Sequence, residues 1–203
     1  MSKTLADRRR KSDAGEAALP PRERILAVSC DLFYRHGVHA VGVELIAEAA
    51  QTNKMTLYRH FKSKDELIVA YARRLAAEGE AVWERLAVAF PDDPERRLAA
   101  WVDHVEEILT SSAERGCALA NAAVELQPSH PARTVIEDYK RRKREQLVGL
   151  FAQSRYRNPE LLADEVFLLF EGARISIQCG GRGPALRVVE MLRDLLAGAP
   201  RDI

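Results

Sequence analysis

Cysteine is scarce in this chain: its 203 residues hold three, Cys30, Cys117 and Cys179. The number is odd, the spacings are wide and no CxxC pair occurs, so neither a disulfide framework nor a zinc knuckle can be written. Each cysteine reads as a small buried hydrophobe in a reducing cytosol, with a redox role for Cys117 as the alternative. No apolar run approaches the ~20 residues that would span a bilayer. The expectation is therefore a cytoplasmic protein without a membrane partner. Sustained β alternation and internal repeats are also missing. Residues 1–20 carry Arg8, Arg9, Arg10 and Lys11 with no apolar core behind them, so they are not expected to be a signal peptide. They read as a flexible basic arm, either a solubilising tail or a segment that follows a DNA backbone or minor groove.

Motifs of catalysis are absent too. There is no GxSxG, no HExxH and no GxxxxGK[ST]. A helical di-iron site needs facing Glu-x-x-His motifs, whereas His104 with Glu107 has the reverse order and occurs once. No catalytic residue, metal ligand or cofactor is expected. Nor does charge of one sign dominate, since the formal net charge is +1. With 47% hydrophobic and 30% charged residues, the composition is that of a soluble globular protein. The charge is unevenly spread, however. Residues 1–64 hold 12 Lys/Arg against 7 Asp/Glu, and residues 65–203 hold 19 against 23. A basic first third and an acidic remainder suit a protein that offers one end to a polyanion.

What is present is helix after helix. "PRERILAVSCDLFYRHG" opens with proline in a first turn, places Ile25, Val28 and Leu32 on one face and stops at Gly37. "VELIAEAA" (43–50) spaces Val43, Ile46, Ala47 and Ala50 at i, i+3, i+4 and i+7. Gln51, Thr52 and Asn53 interrupt, and Asn53 or Thr52 can cap the following "KMTLYRHF". Ser63 with Glu66 predicts a capping box for a long helix from about Lys64 to Phe90. Further helices are expected near 94–113, 117–127, 131–156, 159–179 and 184–197, with "CGGRGP" (179–184) as a hinge. The predicted fold is all-α, with about nine helices.

Three short helices with a three-residue turn between the second and third describe a helix-turn-helix module. Around the third, Leu57 and Phe61 fall together and would face a small core with Ile46, Ala47 and Leu32. Met55 and Arg59 point the other way, flanked by Thr56 and Tyr58. A merely solvated helix has no reason to aim a tyrosine and a methionine outward beside cations. The stretch "GVHAVGVELIAEAAQTNKMTLYRHFKSKDEL" resembles the DNA-binding domain of the TetR (tetracycline-repressor-like) family of bacterial regulators, closely over about residues 22–68. The resemblance implies that Lys54, Met55, Thr56 and Arg59 face bases and that Tyr58, His60 and Lys64 contact phosphates, with Thr52 and Asn53 in the same DNA-binding set. Where the family usually has Gly-Val in the turn, this chain has Gln51-Thr52. Gln51 must then adopt a conformation that glycine finds easier.

The resemblance further implies a domain plan: an arm over 1–20, the DNA-binding module over 21–66, and a helical ligand-binding and dimerising domain over 67–203. The expected partners are a double-stranded DNA operator, a small-molecule effector and a second copy of the chain. "LLADEVFLLFEGARISIQ" (161–178) is apolar nearly all round, so it needs burial on more than one side, within the subunit or between two subunits. Candidate pocket residues are polar or aromatic groups set among apolar ones: Trp101 and His104 beside Val105 and Ile108, Asn121 and Glu125 at i, i+4, and Phe170 and Arg174 with Glu171 nearby. A DNA-binding protein without a ligand, or a helical enzyme, are the alternative readings.

Overall fold

A computed structural model describes residues 19–111 and 115–202. Most of the expected arm, residues 1–18, lies outside the described residues. Among the described residues there are nine helices: α1 Pro21–His36, α2 Val43–Ala49, α3 Lys54–His60, α4 Lys64–Ala89, α5 Pro94–Thr110, α6 Ala118–Glu125, α7 Pro131–Gln153, α8 Pro159–Gln178 and α9 Arg182–Gly198. The fold is all-α, with an N-terminal helix-turn-helix module joined to a larger helical domain. The chain forms two compact units. One runs up to Arg74 and includes Asn121–Arg133; the other holds Leu75–Ala120 and the chain from Thr134 onward. The divisions fall inside α4, α6 and α7.

In the first unit, α1 to α3 and the start of α4 close on a core in which Ile25, Ile46, Leu57, Phe61 and Leu67 lose all solvent contact. Phe33 meets Tyr71 edge-on, with ring centroids 5.4 Å apart. The buried face of α1 is Ile25, Leu26, Ser29 and Phe33, while the expected Val28 and Leu32 are only half-buried at its margin. The polar Ser29 hides the true stripe in the sequence. It is tolerated inside because its hydroxyl donates to the Ile25 carbonyl at 2.7 Å.

The turn between α2 and α3 is tied back by Thr52 N–H to Ala47 O at 2.9 Å, and Gln51 takes φ +50. The left-handed conformation expected of Gln51 is thus present, and it is one that most side chains avoid. Arg24 Nε donates to the Ala50 carbonyl at 2.8 Å, which fixes α1 against the end of α2. Asn53, rather than Thr52, caps α3: its side-chain oxygen accepts the Thr56 N–H at 2.8 Å. Ser63 accepts the Glu66 N–H at 3.1 Å, but Glu66 reaches back to the N–H of Lys62 at 2.8 Å, one residue earlier than a capping box requires.

The second unit is built on α5, α8 and α9 with the later part of α7. Its core contains Trp101, Leu109, Leu147, Phe151, Val166, Phe170 and Leu192. Of α8, Leu162, Ala163, Val166, Phe170 and Ala173 are buried, whereas Leu161, Leu168 and Ile175 remain 58%, 68% and 51% exposed. Burial within the subunit therefore accounts for only one side of this helix. The expected hinge is shorter than 179–184, because Arg182, Gly183 and Pro184 form the first turn of α9. Proline is accepted there because a first-turn N–H has no partner inside the helix. The helix expected to run to 156 ends at Gln153. There Arg155 turns left-handed at φ +59, and Tyr156 is buried with its hydroxyl donating to Leu196 O at 3.1 Å.

Candidate nucleic-acid interface and ligand cavity

Helix α3 is anchored from below and open above. Leu57 and Phe61 are fully buried, while Met55 is 84% and Tyr58 40% exposed. Arg59 and Asn53 are exposed, and Thr52 and Thr56 half-buried. The predicted groove-facing row therefore lies on one accessible surface. Two members of the predicted DNA-binding set are held differently. His60 is half-buried, and its Nε2 is enclosed without a hydrogen-bond partner. Lys64, half-buried at the start of α4, donates to the His39 carbonyl at 3.3 Å. Burial pulls its ammonium below the ordinary lysine pKa, against the opposing charges of Asp65 and Glu125.

Lys54 carries a partner that sequence reasoning missed. Its Nζ lies 2.5 Å from Glu44 Oε1 on α2 and 6.0 Å from the Tyr58 ring centroid. The hydrogen bond to Glu44 raises the Lys54 pKa and lowers that of the carboxylate. Ten residues separate the two, so no helical spacing announces the pair. A second element of this unit was assigned elsewhere by the sequence. Glu125, predicted to line a ligand pocket, instead accepts the His39 N–H at 2.9 Å, and its own carbonyl lies 2.5 Å from His39 Nε2. Its carboxylate sits against Gly37, where φ is +89 and an added Cβ would stand 2.5 Å from Glu125 Oε1. Only glycine meets both conditions. Asn121, four residues earlier on the same helix, belongs to the same unit. Neither residue lines the cavity.

The other predicted pocket residues do converge. A cavity of about 290 Å³ in the second unit is lined by Trp101, His104, Phe170 and Arg174, with Val105 and Ile108 beside them. Trp83 of α4 stacks on Trp101, centroids 6.1 Å apart. Burial lowers the His104 pKa, while Glu107, 3.6 Å away, opposes the shift. Three further lining residues were missed: Cys117, Tyr139 and Lys143. Tyr139 fits because Gly79 has no side chain; a Cβ there would stand 2.1 Å from the phenol oxygen. Burial pushes the Tyr139 phenol up to about 12.

Lys143 is the most consequential of the missed residues. It is 7% exposed, and burial drives its pKa down to about 7 against the pull of Glu171, with Lys140 and Arg174 adding to the fall. In the sequence it hides within "KRRKR" (140–144), which reads as a solvated run. The signal that could have found it is phase: Ile136, Lys143, Leu147 and Leu150 recur at helical spacing, and all four are buried. Glu171 pairs with Lys140 at 2.6 Å and with Lys143 at 3.5 Å. Burial disfavours its charge, but Lys140, Lys143 and Arg174 together outweigh that and hold the carboxyl below its ordinary value. Among the described residues no group of three or more His, Cys, Asp or Glu is placed to hold a metal ion, and no helix is long and apolar enough to cross a membrane.

Comparison with known proteins bears directly on this pairing of an open recognition surface with a separate cavity. Residues 25–71 match the family model described as "Bacterial regulatory proteins, tetR family". A segment of 82 residues is 34% identical to the HTH-type transcriptional activator FasR of Mycolicibacterium smegmatis, covering 40% of this chain and 37% of FasR. The match thus spans little more than a third of that relative. The whole fold is shared with SCO4454, a TetR-family transcriptional regulator of Streptomyces coelicolor, at 28% identity and a TM-score of 0.75 over 89% of this chain and 96% of that one. It is also shared with the TetR transcriptional regulator sav143 of Streptomyces avermitilis, at 30% identity and a TM-score of 0.74 over 91% of this chain and the whole of the other. With likeness over 91% of its length and a matching helix-turn-helix segment, the chain belongs to the TetR family of DNA-binding transcriptional regulators.

Proposed function

We propose that this regulator is a cytoplasmic homodimeric repressor that holds a palindromic operator and leaves it when a small molecule enters the cavity. The observation that carries the reading is the two-sided α3, with Leu57 and Phe61 wholly buried and Met55, Tyr58 and Arg59 presented outward. A helix so mounted enters a major groove, where Arg59 pairs with guanine O6 and N7, Met55 packs on a thymine methyl, and Lys54 and Thr56 meet neighbouring base edges. Tyr58 and Lys64 contact phosphate; His60 joins them once its ring nitrogen is turned outward. Thr52 and Asn53 flank the same surface. Two copies related by a two-fold axis read two half-sites, which accounts for the palindrome.

Release is a matter of linkage: the effector favours an arrangement that the operator does not accept, and by reciprocity the operator weakens the effector. Helix α6 offers a route. Its first residues, Ala118 and Leu119, line the cavity, and its last, Glu125, holds the turn before α2 through His39. The test begins with selection of bound sequences from random duplex DNA. An inverted repeat is expected; enrichment of a single unrepeated site refutes the dimeric mechanism. Compounds that occupy the cavity are then screened for release from the selected site, and retention with every occupied cavity refutes effector control. FasR bears the name of an activator. A reporter under the selected operator reads the sign here, and repression relieved by deletion of the regulator is expected.

A further inference from the structure

The charged side chains that line the cavity are Lys143 and Arg174, with the exposed Glu78. Beside the lining, the partly buried carboxylate of Glu171 pairs with Lys140 at 2.6 Å and lies 3.5 Å from Lys143. Lys143 Nζ and the Arg174 guanidinium carbon stand 4.0 and 5.5 Å from the centroid of the same ring, Phe170. Arg174 donates to the Gly116 carbonyl at 3.1 Å, yet its Nε is buried and makes no hydrogen bond. Glu171 is engaged chiefly by Lys140, so Lys143, only 7% exposed, is left weakly paired, and a buried charge without a close partner is costly. Around this polar end the wall is aromatic, with Trp83 and Trp101 stacked at 6.1 Å. The volume, about 290 Å³, is at the small end of the roughly 300–1,000 Å³ of ligand sites.

We infer that the cavity takes a compact organic monoanion, an aromatic carboxylate whose charge is received by Lys143 and Arg174 and whose ring lies against the tryptophan wall. The inference rests on the reading of this cavity as the effector site. A cationic ligand would meet Lys143 and Arg174 with like charge, and a neutral one would bring them no counter-charge. A carboxylate supplies the missing counter-charge and an acceptor for the idle Nε of Arg174.

Such binding carries a proton with it. The groups that face Lys143 are Lys140 from its own helix, Glu171 and Arg174 from α8, Cys117 ahead of α6 and His104 from α5; Glu78 of α4 lines the same cavity but is exposed. Because burial lowers its pKa to about 7, the amine gives up its proton far more readily at pH 8 than an ordinary lysine does. An anion set beside it restores the charge, so the complex draws a proton from solution.

The chain has two tryptophans, Trp83 and Trp101, and both line this cavity, so intrinsic fluorescence reports on it. Benzoate, phenylacetate and 3-phenylpropanoate are titrated at pH 8, each against its primary amide and its amine. At least one acid is expected to bind at least tenfold more tightly than both neutral and cationic analogues. Calorimetry in two buffers of different ionisation enthalpy is expected to show proton uptake. Lys143→Met, with folding checked by circular dichroism, loses both the uptake and at least tenfold in affinity; should it unfold, Arg174→Met replaces it for the affinity test. Equal binding of amide or amine, binding of the acid without proton uptake, or no binding by any acid overturns the inference. An acid that fills the cavity and leaves operator DNA bound overturns the effector reading alone.

Discussion

Side chains offered to a partner stand outward from α3 in the first unit, whereas in the second they converge inward from α4, α5, α7 and α8. On α3 the exposed Met55, Tyr58 and Arg59 need nothing from the interior except the anchors Leu57 and Phe61. Around the cavity, the charge of Lys143 is favoured by Glu171 and opposed by Lys140 and Arg174, whereas all three cations favour the charge of Glu171. On the function proposed here, the difference follows from the partners. A duplex is a large solvated polyanion, met best by cations that keep their water until contact. A small effector must be stripped of water to be recognised, and enclosed charges with few exits do that.

The largest effect is expected where neither arrangement holds. On α8 and α9 the outward groups are apolar: Leu161, Leu168 and Ile175, with Met191 49% exposed. Soluble monomers rarely leave such a face wet, and here it borders an open groove of about 630 Å³ along Leu168, Gly172 and Val188. If this is where two copies meet, Leu168→Glu buries an unpaired carboxylate in each, at a cost on the order of several kcal/mol per copy. The expected result is monomer at tens of micromolar in sedimentation, helical content intact and operator binding lost. A dimer that survives the substitution places the interface elsewhere. Leu168 is a cleaner probe than its neighbour Phe167, which is half-buried with Lys140 and Lys143 over its ring.

The second test separates the units by pH. The Lys143 pKa is depressed from about 10.4 in the unfolded chain to about 7 in the folded one. Between those values the unfolded state binds more protons, so stability rises with pH from about 7 towards 10 and is lost as pH falls through 7. Lys143→Met removes this dependence. The wild-type minus variant difference in unfolding free energy is therefore expected to climb between pH 6 and 9.5, with the variant the more stable protein at pH 6. Working below pH 10 keeps clear of Tyr139, whose raised pKa of about 12 acts in the opposite sense. A flat difference would mean that Lys143 is hydrated in the folded protein.

The third test concerns the open surface. Arg59→Ala is expected to cost roughly 1–3 kcal/mol of discrimination at one position of each half-site and little elsewhere. Selection from random DNA reads this directly. A motif that survives intact at every position removes Arg59 from the base-reading row.

These regions were not equally legible in the sequence, and the reason is physical. The α3 surface depends on spacing within one helix and on one capping residue, both local quantities, so Leu57 and Phe61 could be assigned from the string alone and the cap narrowed to Thr52 or Asn53. Trp101, His104, Phe170 and Arg174 could be suspected because each interrupts or colours an apolar stripe. That Lys143 joins them depends on which of five consecutive cations faces inward and on three helices brought from elsewhere in the chain. Glu125 shows the limit most clearly. Its pairing with Asn121 at i, i+4 is sound as helix geometry, yet nothing local says that the helix end reaches His39, 86 residues earlier.

The smallest effect expected is the most discriminating about the open surface, because it concerns a cation of α3 that is already paired with a carboxylate. Lys54 is held by Glu44 at 2.5 Å, and on the proposed reading it exchanges that carboxylate for DNA. Both side chains are solvent-exposed, so the exchange is nearly balanced and the pair adds little to stability. Glu44→Gln removes the competitor and a negative charge from the recognition surface, so affinity for operator and for unrelated duplex is expected to rise together. Two mechanisms could produce that rise, and a double-mutant cycle separates them. If Glu44 acts by holding Lys54, its substitution has no effect in a Lys54→Ala background. If it acts by repelling phosphates through the field, the gain persists in that background and shrinks as salt is raised. Unchanged or weakened DNA binding by Glu44→Gln alone would remove Lys54 from the contact surface and leave Arg59 as the principal cation of α3.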